Sequence, residues 1–139
     1  MKPLKGQCLC GAIQYEIDKV EPKMAHCHCS MCRKFHGAAF STFVEAKTDD
    51  LRWLKGQELL VGYIASNGTV RQFCSVCGSS MTFNSAHSTG NSIEIALGTL
   101  DSDFDLQPDA HIHVDSKAKW INICDDLPQF AKERDEKLI

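Results

Sequence analysis

Cysteine is the residue that most constrains this chain. It occurs eight times, and seven of the eight fall into three short clusters. A disulfide framework usually spreads its cysteines along a secreted chain, whereas a metal ion needs thiolates that converge on one point. Short spacings on turns bring thiolates together at little cost in chain entropy. The clusters therefore predict metal binding, with zinc as the expected ion and iron as an alternative, since thiolates bind both.

The clustered cysteines divide most simply into four and three. Structural zinc usually has four protein ligands, often in two separated pairs, while catalytic zinc keeps three and an open position. The expected closed structural site, here called the outer cluster, comprises Cys8, Cys10, Cys74 and Cys77. The expected open catalytic site, here called the central cluster, comprises Cys27, Cys29 and Cys32. Two zinc ions per chain follow, although a four-thiolate site that draws on the central cluster fits the same count.

The composition is typical of one globular domain over residues 1–139, with 43% hydrophobic and 24% charged residues. The net charge of −3 argues against nonspecific binding to nucleic acid. No apolar run approaches the roughly 20 residues of a membrane-spanning helix, and the first residues lack a signal-type apolar stretch. We expect a soluble, cytoplasmic protein with neither nucleic acid nor a membrane as its partner.

The hydrophobic pattern predicts a mainly β fold of antiparallel sheets that zinc staples together. The Asn67-Gly68 step predicts a hairpin that delivers Cys74 at the end of a strand. Pro128 predicts the first turn of a short C-terminal helix over Gln129–Lys137. Alternating or apolar runs predict strands in four stretches: Ile13–Ile17, Phe40–Val44, Leu59–Ile64 and Ile93–Leu97.

The segment around the central cluster concentrates thiols, imidazoles and cations. Three thiolates with one Zn²⁺ carry a net charge of −1, so Arg33 and Lys34 would stabilise the cluster, suit an anionic ligand, or simply be solvated. In an extended backbone, alternation with the cysteines turns the His26 and His28 rings away from the metal. Either ring is then an acid–base group, a donor that holds a sulfur or a water, or a surface residue. The alternative is a fourth metal ligand, from His26 or His28, or from His36 if the site is closed.

Other single residues have ordinary structural interpretations. Cys124 lies outside the clusters and is expected to be a small buried apolar residue. Trp53 and Trp120 are expected to anchor the core. His111 and His113 are expected on an exposed strand, or facing a pocket if they share one strand face.

Several stretches of the chain resemble one known family. The sequences are GQCLCGAIQY at residues 6–15, CHCSMCRK at 27–34 and FCSVCGS at 73–79, followed by LGTLD at 97–101, HI at 111–112 and SKAKW at 116–120. They are similar to the glutathione-dependent formaldehyde-activating enzyme family, which includes centromere protein V. The resemblance spans about residues 6 to 120 and includes seven cysteines in the family's order.

The resemblance implies a β-tent fold with a structural zinc at the outer cluster and a second zinc at the central cluster. The family's named activity is that of a carbon–sulfur lyase, written in the synthetic direction: formaldehyde and glutathione give S-(hydroxymethyl)glutathione. It predicts that Cys27, Cys29 and Cys32 hold the catalytic zinc. Arg33, Lys34 and His28 are the predicted substrate-binding residues. His113 departs from the family, because an aromatic residue often follows its His-Ile pair.

Two other classes of function fit the same residues. The chain could be a non-catalytic, zinc-stabilised β-tent module that binds other proteins, with both zinc sites closed. It could also be a redox or zinc-buffering thiol protein whose central cluster releases zinc on oxidation.

Overall fold

The computed structural model describes residues 2–134, in which strands predominate and only one α-helix forms. The mainly β prediction is confirmed. None of the helices in these residues has the length and hydropathy needed to cross a membrane. In chain order the elements are β1 Leu4–Gln7, β2 Gln14–Ile17, β3 Ala25–Cys27, α1 Ser30–His36, β4 Ser41–Lys47, β5 Leu51–Lys55, β6 Leu60–Ile64, β7 Val70–Cys74, β8 Ser80–Asn84, β9 Ser92–Ala96 and β10 Ala110–Ile112.

The chain divides into two compact units. The first holds residues 2–22 and Phe43–Leu106, and the second holds Lys23–Thr42 and residues 107–134. The outer cluster lies in the first unit and the central cluster in the second. That residues 1–139 act as one domain stays a prediction.

The first unit contains two antiparallel sets of strands. One has the order β1-β2-β5, and the other runs β4-β9-β8-β7-β6. The predicted hairpin is confirmed, since Ala65 and Thr69 close the turn between β6 and β7 and the Thr69 amide donates to Asn67 Oδ1. Strand β7 ends at Cys74, as predicted.

The core of the first unit comes from residues that alternate along its strands. Tyr15 and Ile17 on β2 are fully buried, while their neighbours Gln14 and Glu16 are only partly covered, which is the period-two pattern of a half-buried strand. Trp53 on β5 packs edge-on against the Tyr15 ring, with 5.8 Å between centroids. Its predicted place beside the core is confirmed.

In the second unit, β3 lies between β10 and the start of β4. The β3–β4 pairing is antiparallel, but β3 and β10 are parallel, with Ala25, His26 and Cys27 opposite Ala110, His111 and Ile112. The β3–β10 pair is a parallel exception in sheets that were predicted to be mainly antiparallel. A parallel pair needs a long connection, and the long stretch of chain between the two strands supplies it.

The predicted C-terminal helix does not form in residues 129–134, and residues 135–137 lie outside the described part of the chain. Backbone groups here bond to β10 and to the segment that follows it. The Phe130 amide donates to the His111 carbonyl, and the amides of Val114 and His113 donate to the carbonyls of Phe130 and Lys132. These bonds use the groups that a helix would need.

Two predicted core residues are exposed. Trp120 is 73% exposed, on a turn in which the Lys117 ammonium donates to the carbonyls of Ala118 and Ile121. Cys124 is also exposed, because burial alternates from Ile121 onward and places Cys124 on the same open side as Asn122. Both core predictions are wrong.

Candidate functional site

The four thiols of the outer cluster converge on one point. All four sulfur atoms lie within 4.8 Å of one another. Cys10 Sγ is 3.6 Å from Cys8 Sγ and 3.9 Å from Cys74 Sγ. A tetrahedral ion bound at about 2.3 Å separates its sulfur ligands by about 3.8 Å, whereas a disulfide brings them to about 2.05 Å. All eight cysteines are free, so the outer cluster fits a tetrahedral metal ion.

Two tight turns present these thiols. The Gly11 amide donates to the Cys8 carbonyl over 3.1 Å, and the Gly78 amide donates to the Cys74 carbonyl over 2.8 Å. Both glycines are left-handed, with φ of 77° and 81°, a conformation that glycine adopts without strain. In the second turn the Val76 amide also donates to Cys74 Sγ over 3.4 Å, which stabilises a thiolate.

Ser79 links the two turns. Its hydroxyl oxygen accepts from the Leu9 amide over 2.9 Å and lies 3.2 Å from Cys77 Sγ. The hydrogen bond from Ser79 lowers the pKa of Cys77 to about 5. A thiol that ionises below neutral pH is prepared to bind a metal ion.

The central cluster spans the junction between β3 and α1. Cys27 ends the strand, Cys29 is the N-cap of the helix, and Cys32 lies in its first turn. Their sulfur atoms lie within 4.8 Å of one another. Across residues 2–134, no histidine, aspartate, glutamate or further cysteine joins them as a fourth ligand. The structure thus groups the seven cysteines as four and three, and a tetrahedral ion at the central cluster would keep one open position.

Hydrogen bonds within the central cluster favour one ionised sulfur. Cys29 Sγ accepts from the Cys32 amide over 3.3 Å, as an N-cap acceptor does. Side-chain hydrogen bonds from Cys27 and Cys32 lower the pKa of Cys29 to about 2. Side-chain hydrogen bonds to Cys29 and Cys32 raise the pKa of Cys27, because its thiol acts as the donor.

The predicted substrate-binding cations lie on α1 in different environments. Lys34 is exposed to solvent. Arg33 is half-buried, and its Nε atom is buried without a hydrogen-bond partner in the described residues. An unpaired buried donor is costly, so Arg33 Nε is available to an acceptor from a bound molecule.

Three imidazoles pack together beside the Phe40 ring, and we call them the imidazole cluster: His26, His28 and His111. The ring of His111 lies 4.9 Å from that of His26 and 5.0 Å from that of His28, between centroids. Phe40 covers His26 and His28 at 4.6 and 5.0 Å. No nitrogen of His26 or His28 joins the three sulfur atoms of the central cluster.

The parallel pairing of β3 with β10 builds the imidazole cluster. It sets His111 directly opposite His26, and the His28 amide extends the pairing by donating to the Ile112 carbonyl over 3.0 Å. His113 does not share that strand face, because β10 ends at Ile112 and His113 turns into the left-handed region with φ of 55°. Its ring pairs instead with Glu133, 2.9 Å away.

A chain of hydrogen bonds runs from His28 to the surface. His28 Nε2 lies 2.8 Å from His111 Nδ1, and His111 Nε2 lies 2.9 Å from Asp125 Oδ2. The other nitrogen of His28, Nδ1, is buried and has no hydrogen-bond partner within residues 2–134. Sequence reasoning missed Asp125 entirely, since an exposed aspartate in a loop gives no local signal of a histidine partner.

The surroundings of His26 and His28 favour neutral rings. Burial is the main reason that the pKa of His28 falls to about 4, with further contributions from His111, His26, Lys117 and Arg33. Burial also lowers the pKa of His26. The hydrogen bond from His111 lowers the pKa of Asp125, so this carboxylate is ionised at neutral pH.

Comparison with known proteins identifies a family and a shared fold. A family model described as "Glutathione-dependent formaldehyde-activating enzyme" matches residues 3–116. The chain is 26% identical over 140 residues to an uncharacterized lyase of Schizosaccharomyces pombe, covering 100% of this chain and 98% of the yeast protein. It is 26% identical over 127 residues to a Halomonas elongata protein named "Putative glutathione-dependent formaldehyde-activating enzyme", covering 86% of this chain and 80% of that protein. The crystal structure of a Rhodobacter sphaeroides protein superposes with a TM-score of 0.60 at 26% identity, over 72% of this chain and 90% of that one.

Proposed function

Because this chain belongs to the glutathione-dependent formaldehyde-activating enzyme family, we propose that it is a zinc-dependent carbon–sulfur lyase that acts on a small thiol adduct. Glutathione is the proposed thiol and formaldehyde the proposed carbonyl compound. The names of the yeast and Halomonas relatives support a lyase of this kind.

The observation that carries the proposal is the incomplete ligand set of the central cluster. Three thiols converge there, and no fourth protein ligand joins them in residues 2–134. Structural zinc sites are closed by four protein ligands, whereas catalytic sites keep a position for substrate or water. The outer cluster, with its four converging thiols, is the proposed structural site of the same chain.

The proposed reaction needs no oxidant or reductant. In the synthetic direction the thiol sulfur adds to the carbonyl carbon, a carbon–sulfur bond forms, and the carbonyl π electrons move to oxygen. The thiol proton ends on that oxygen as a hydroxyl group, and cleavage reverses each change. Zinc bound at the central cluster would supply a position where a substrate thiol ionises near neutral pH.

The protein's own groups bind and orient the substrate in this proposal. The Cys27, Cys29 and Cys32 thiolates hold the ion, and Arg33 offers its unpaired Nε donor to a carboxylate or carbonyl oxygen of the tripeptide. Lys34 is exposed and adds positive charge that attracts an anionic thiol. His28 is the proposed polar contact to the reacting part of the adduct.

Exchange NMR with ¹³C-labelled formaldehyde and glutathione tests the activity directly, because it follows formation and cleavage of the adduct at equilibrium. We expect the zinc-loaded protein to accelerate exchange above the spontaneous rate, and Cys29→Ser to lose the acceleration. Cys124→Ser is the matched control, since Cys124 is exposed and outside both clusters. An exchange rate equal to that of the zinc-free protein would refute the proposal.

Cobalt substitution separates this proposal from a closed scaffold. An open three-thiolate site should change its visible absorption bands when a small thiol binds, whereas two closed sites should not respond. Native mass spectrometry of the freshly purified protein complements this test, with two zinc ions and one glutathione per chain as the expected count. A single tightly held ion would favour a labile or redox role for the central cluster.

A further inference from the structure

We propose that Asp125 and His111 are positioning residues that hold His28 as a hydrogen-bond acceptor for the hydroxyl group of the thiol adduct. This inference rests on the proposed function, since it names a contact of the same substrate. It adds two residues that lie far along the chain from the central cluster.

The carboxylate of Asp125 determines which nitrogen of His111 carries the hydrogen. An ionised carboxylate only accepts hydrogen bonds, and both oxygens of Asp125 lie within 3.1 Å of His111 Nε2. His111 Nε2 must therefore carry the hydrogen and donate it. In a neutral ring the other nitrogen, Nδ1, is then left with a lone pair.

His111 in turn determines the tautomer of His28. Its Nε2 atom lies 2.8 Å from His111 Nδ1, which can only accept when His111 is neutral. His28 Nε2 must therefore donate, and its hydrogen fixes the tautomer of the ring. The lone pair of His28 is on Nδ1, the nitrogen that is buried and lacks a hydrogen-bond partner in the described residues.

The lone pair on His28 Nδ1 can accept a hydrogen bond from a bound molecule. An unsatisfied buried acceptor costs about 1–3 kcal/mol of stability. A native protein that keeps one therefore usually pairs it with a bound molecule. His28 lies between Cys27, which ends β3, and Cys29, the N-cap of α1, so the same short backbone segment carries its ring and the central cluster. The hydroxyl group of the adduct is a hydrogen donor that forms at the reacting carbon.

Asp125 is itself well anchored for this role. The Leu127 amide donates to Asp125 Oδ1 over 3.1 Å, which leaves Oδ2 as the oxygen nearest to His111. In Asp125→Asn the amide oxygen would keep the bond to Leu127, and the amide nitrogen would face His111. Asparagine would then donate where aspartate accepts, so the chain of donors and acceptors would reverse and His28 Nδ1 would carry the hydrogen.

The test is Asp125→Asn in the zinc-loaded protein at pH 8, with two readouts. Long-range ¹H–¹⁵N correlation spectra report which nitrogen of each histidine carries the hydrogen. Exchange NMR reports kcat and KM for adduct cleavage. We expect His28 to change from the Nε2–H to the Nδ1–H tautomer and kcat to fall about 10- to 100-fold, as for one lost buried hydrogen bond, with a smaller change in KM.

The matched control is Asp126→Asn, which removes the same charge from the adjacent exposed residue and should change neither readout. Asp125 is 47% exposed, so the asparagine variant is expected to fold, and its melting temperature checks this. An Nδ1–H tautomer of His28 in the wild type would overturn the inference. A reversed tautomer with unchanged kcat would also overturn it, because His28 Nδ1 would then serve only internal structure. If the wild type itself shows no exchange, the proposed function fails, and the substrate contact fails with it.

Discussion

Replacing a single cysteine in each cluster should have unequal effects on stability. In the outer cluster the thiols of Cys10 and Cys74 are 64 positions apart in sequence, so the metal ion proposed there would close a long loop. In the central cluster, Cys27 to Cys32 is a short local segment. By the chain-entropy relation for cross-links, losing the long closure costs about 4 kcal/mol and losing the short one about 2 kcal/mol.

These costs convert to thermal shifts that are easy to resolve. For a chain of this length, 1 kcal/mol corresponds to about 3–4 °C in melting temperature. We expect Cys8→Ser to lower the melting temperature by about 15 °C and Cys29→Ser by about 8 °C or less, because serine keeps the shape but loses the thiolate. Circular dichroism melts with excess zinc measure the shifts, and native mass spectrometry counts the ions that each variant retains.

Cys124→Ser again provides the control, with no expected change in either quantity. Equal losses from Cys8→Ser and Cys29→Ser would refute the assignment of one structural and one open site. A Cys29→Ser variant that melts well below Cys8→Ser would refute it more strongly, because the short central loop would then anchor the fold.

Two further predictions concern the core of the first unit. Burial, aided by the Asp101 charge, raises the pKa of Tyr15 from 10.0 to about 12. This shift corresponds to about 3 kcal/mol of unfolding free energy. That stability is fully present below pH 10 and is lost as the pH rises through 12. Urea unfolding across this range should show the decline in the wild type but not in Tyr15→Phe, and parallel declines would contradict it. In Gly6→Ala the added Cβ would overlap the Tyr15 hydroxyl and lie 2.5 Å from the Thr99 carbonyl oxygen. We therefore expect the same assay to show a loss of about 2–3 kcal/mol in unfolding free energy. The control is Gly98→Ala, where the space is open and the expected loss is about 0.5 kcal/mol or less.

Features encoded by neighbouring residues were predictable from the sequence. The Asn67-Gly68 hairpin, the alternating β2 strand and the tight cysteine turns each depend on a few adjacent side chains and their backbone preferences. The two thiol groupings followed from counting ligands, because tetrahedral coordination limits how seven cysteines can divide.

Helix α1 was missed because its start signal is unusual. Helix N-caps are recognised by serine, threonine, aspartate or asparagine, and here the thiol of Cys29 takes that place by accepting from the Cys32 amide. The predicted C-terminal helix failed for a different reason. Pro128 and the polar residues after it suit a helix locally, but the pairing of Gln129 with His111 uses their backbone groups first.

The imidazole cluster depends on pairing that no local pattern specifies. His26 and His111 meet because β3 and β10 pair in parallel in one register, across a long interval of sequence. A shift of that register by one residue would turn the His111 ring to the other face of the strand, and both of its hydrogen bonds would be lost. The buried state of His28, whose pKa falls to about 4, and its bond to His111 are thus properties of the assembled pair of strands. Cysteine spacing in the sequence is enough to predict the two thiol clusters, but the imidazole cluster becomes visible only when the strand register is known.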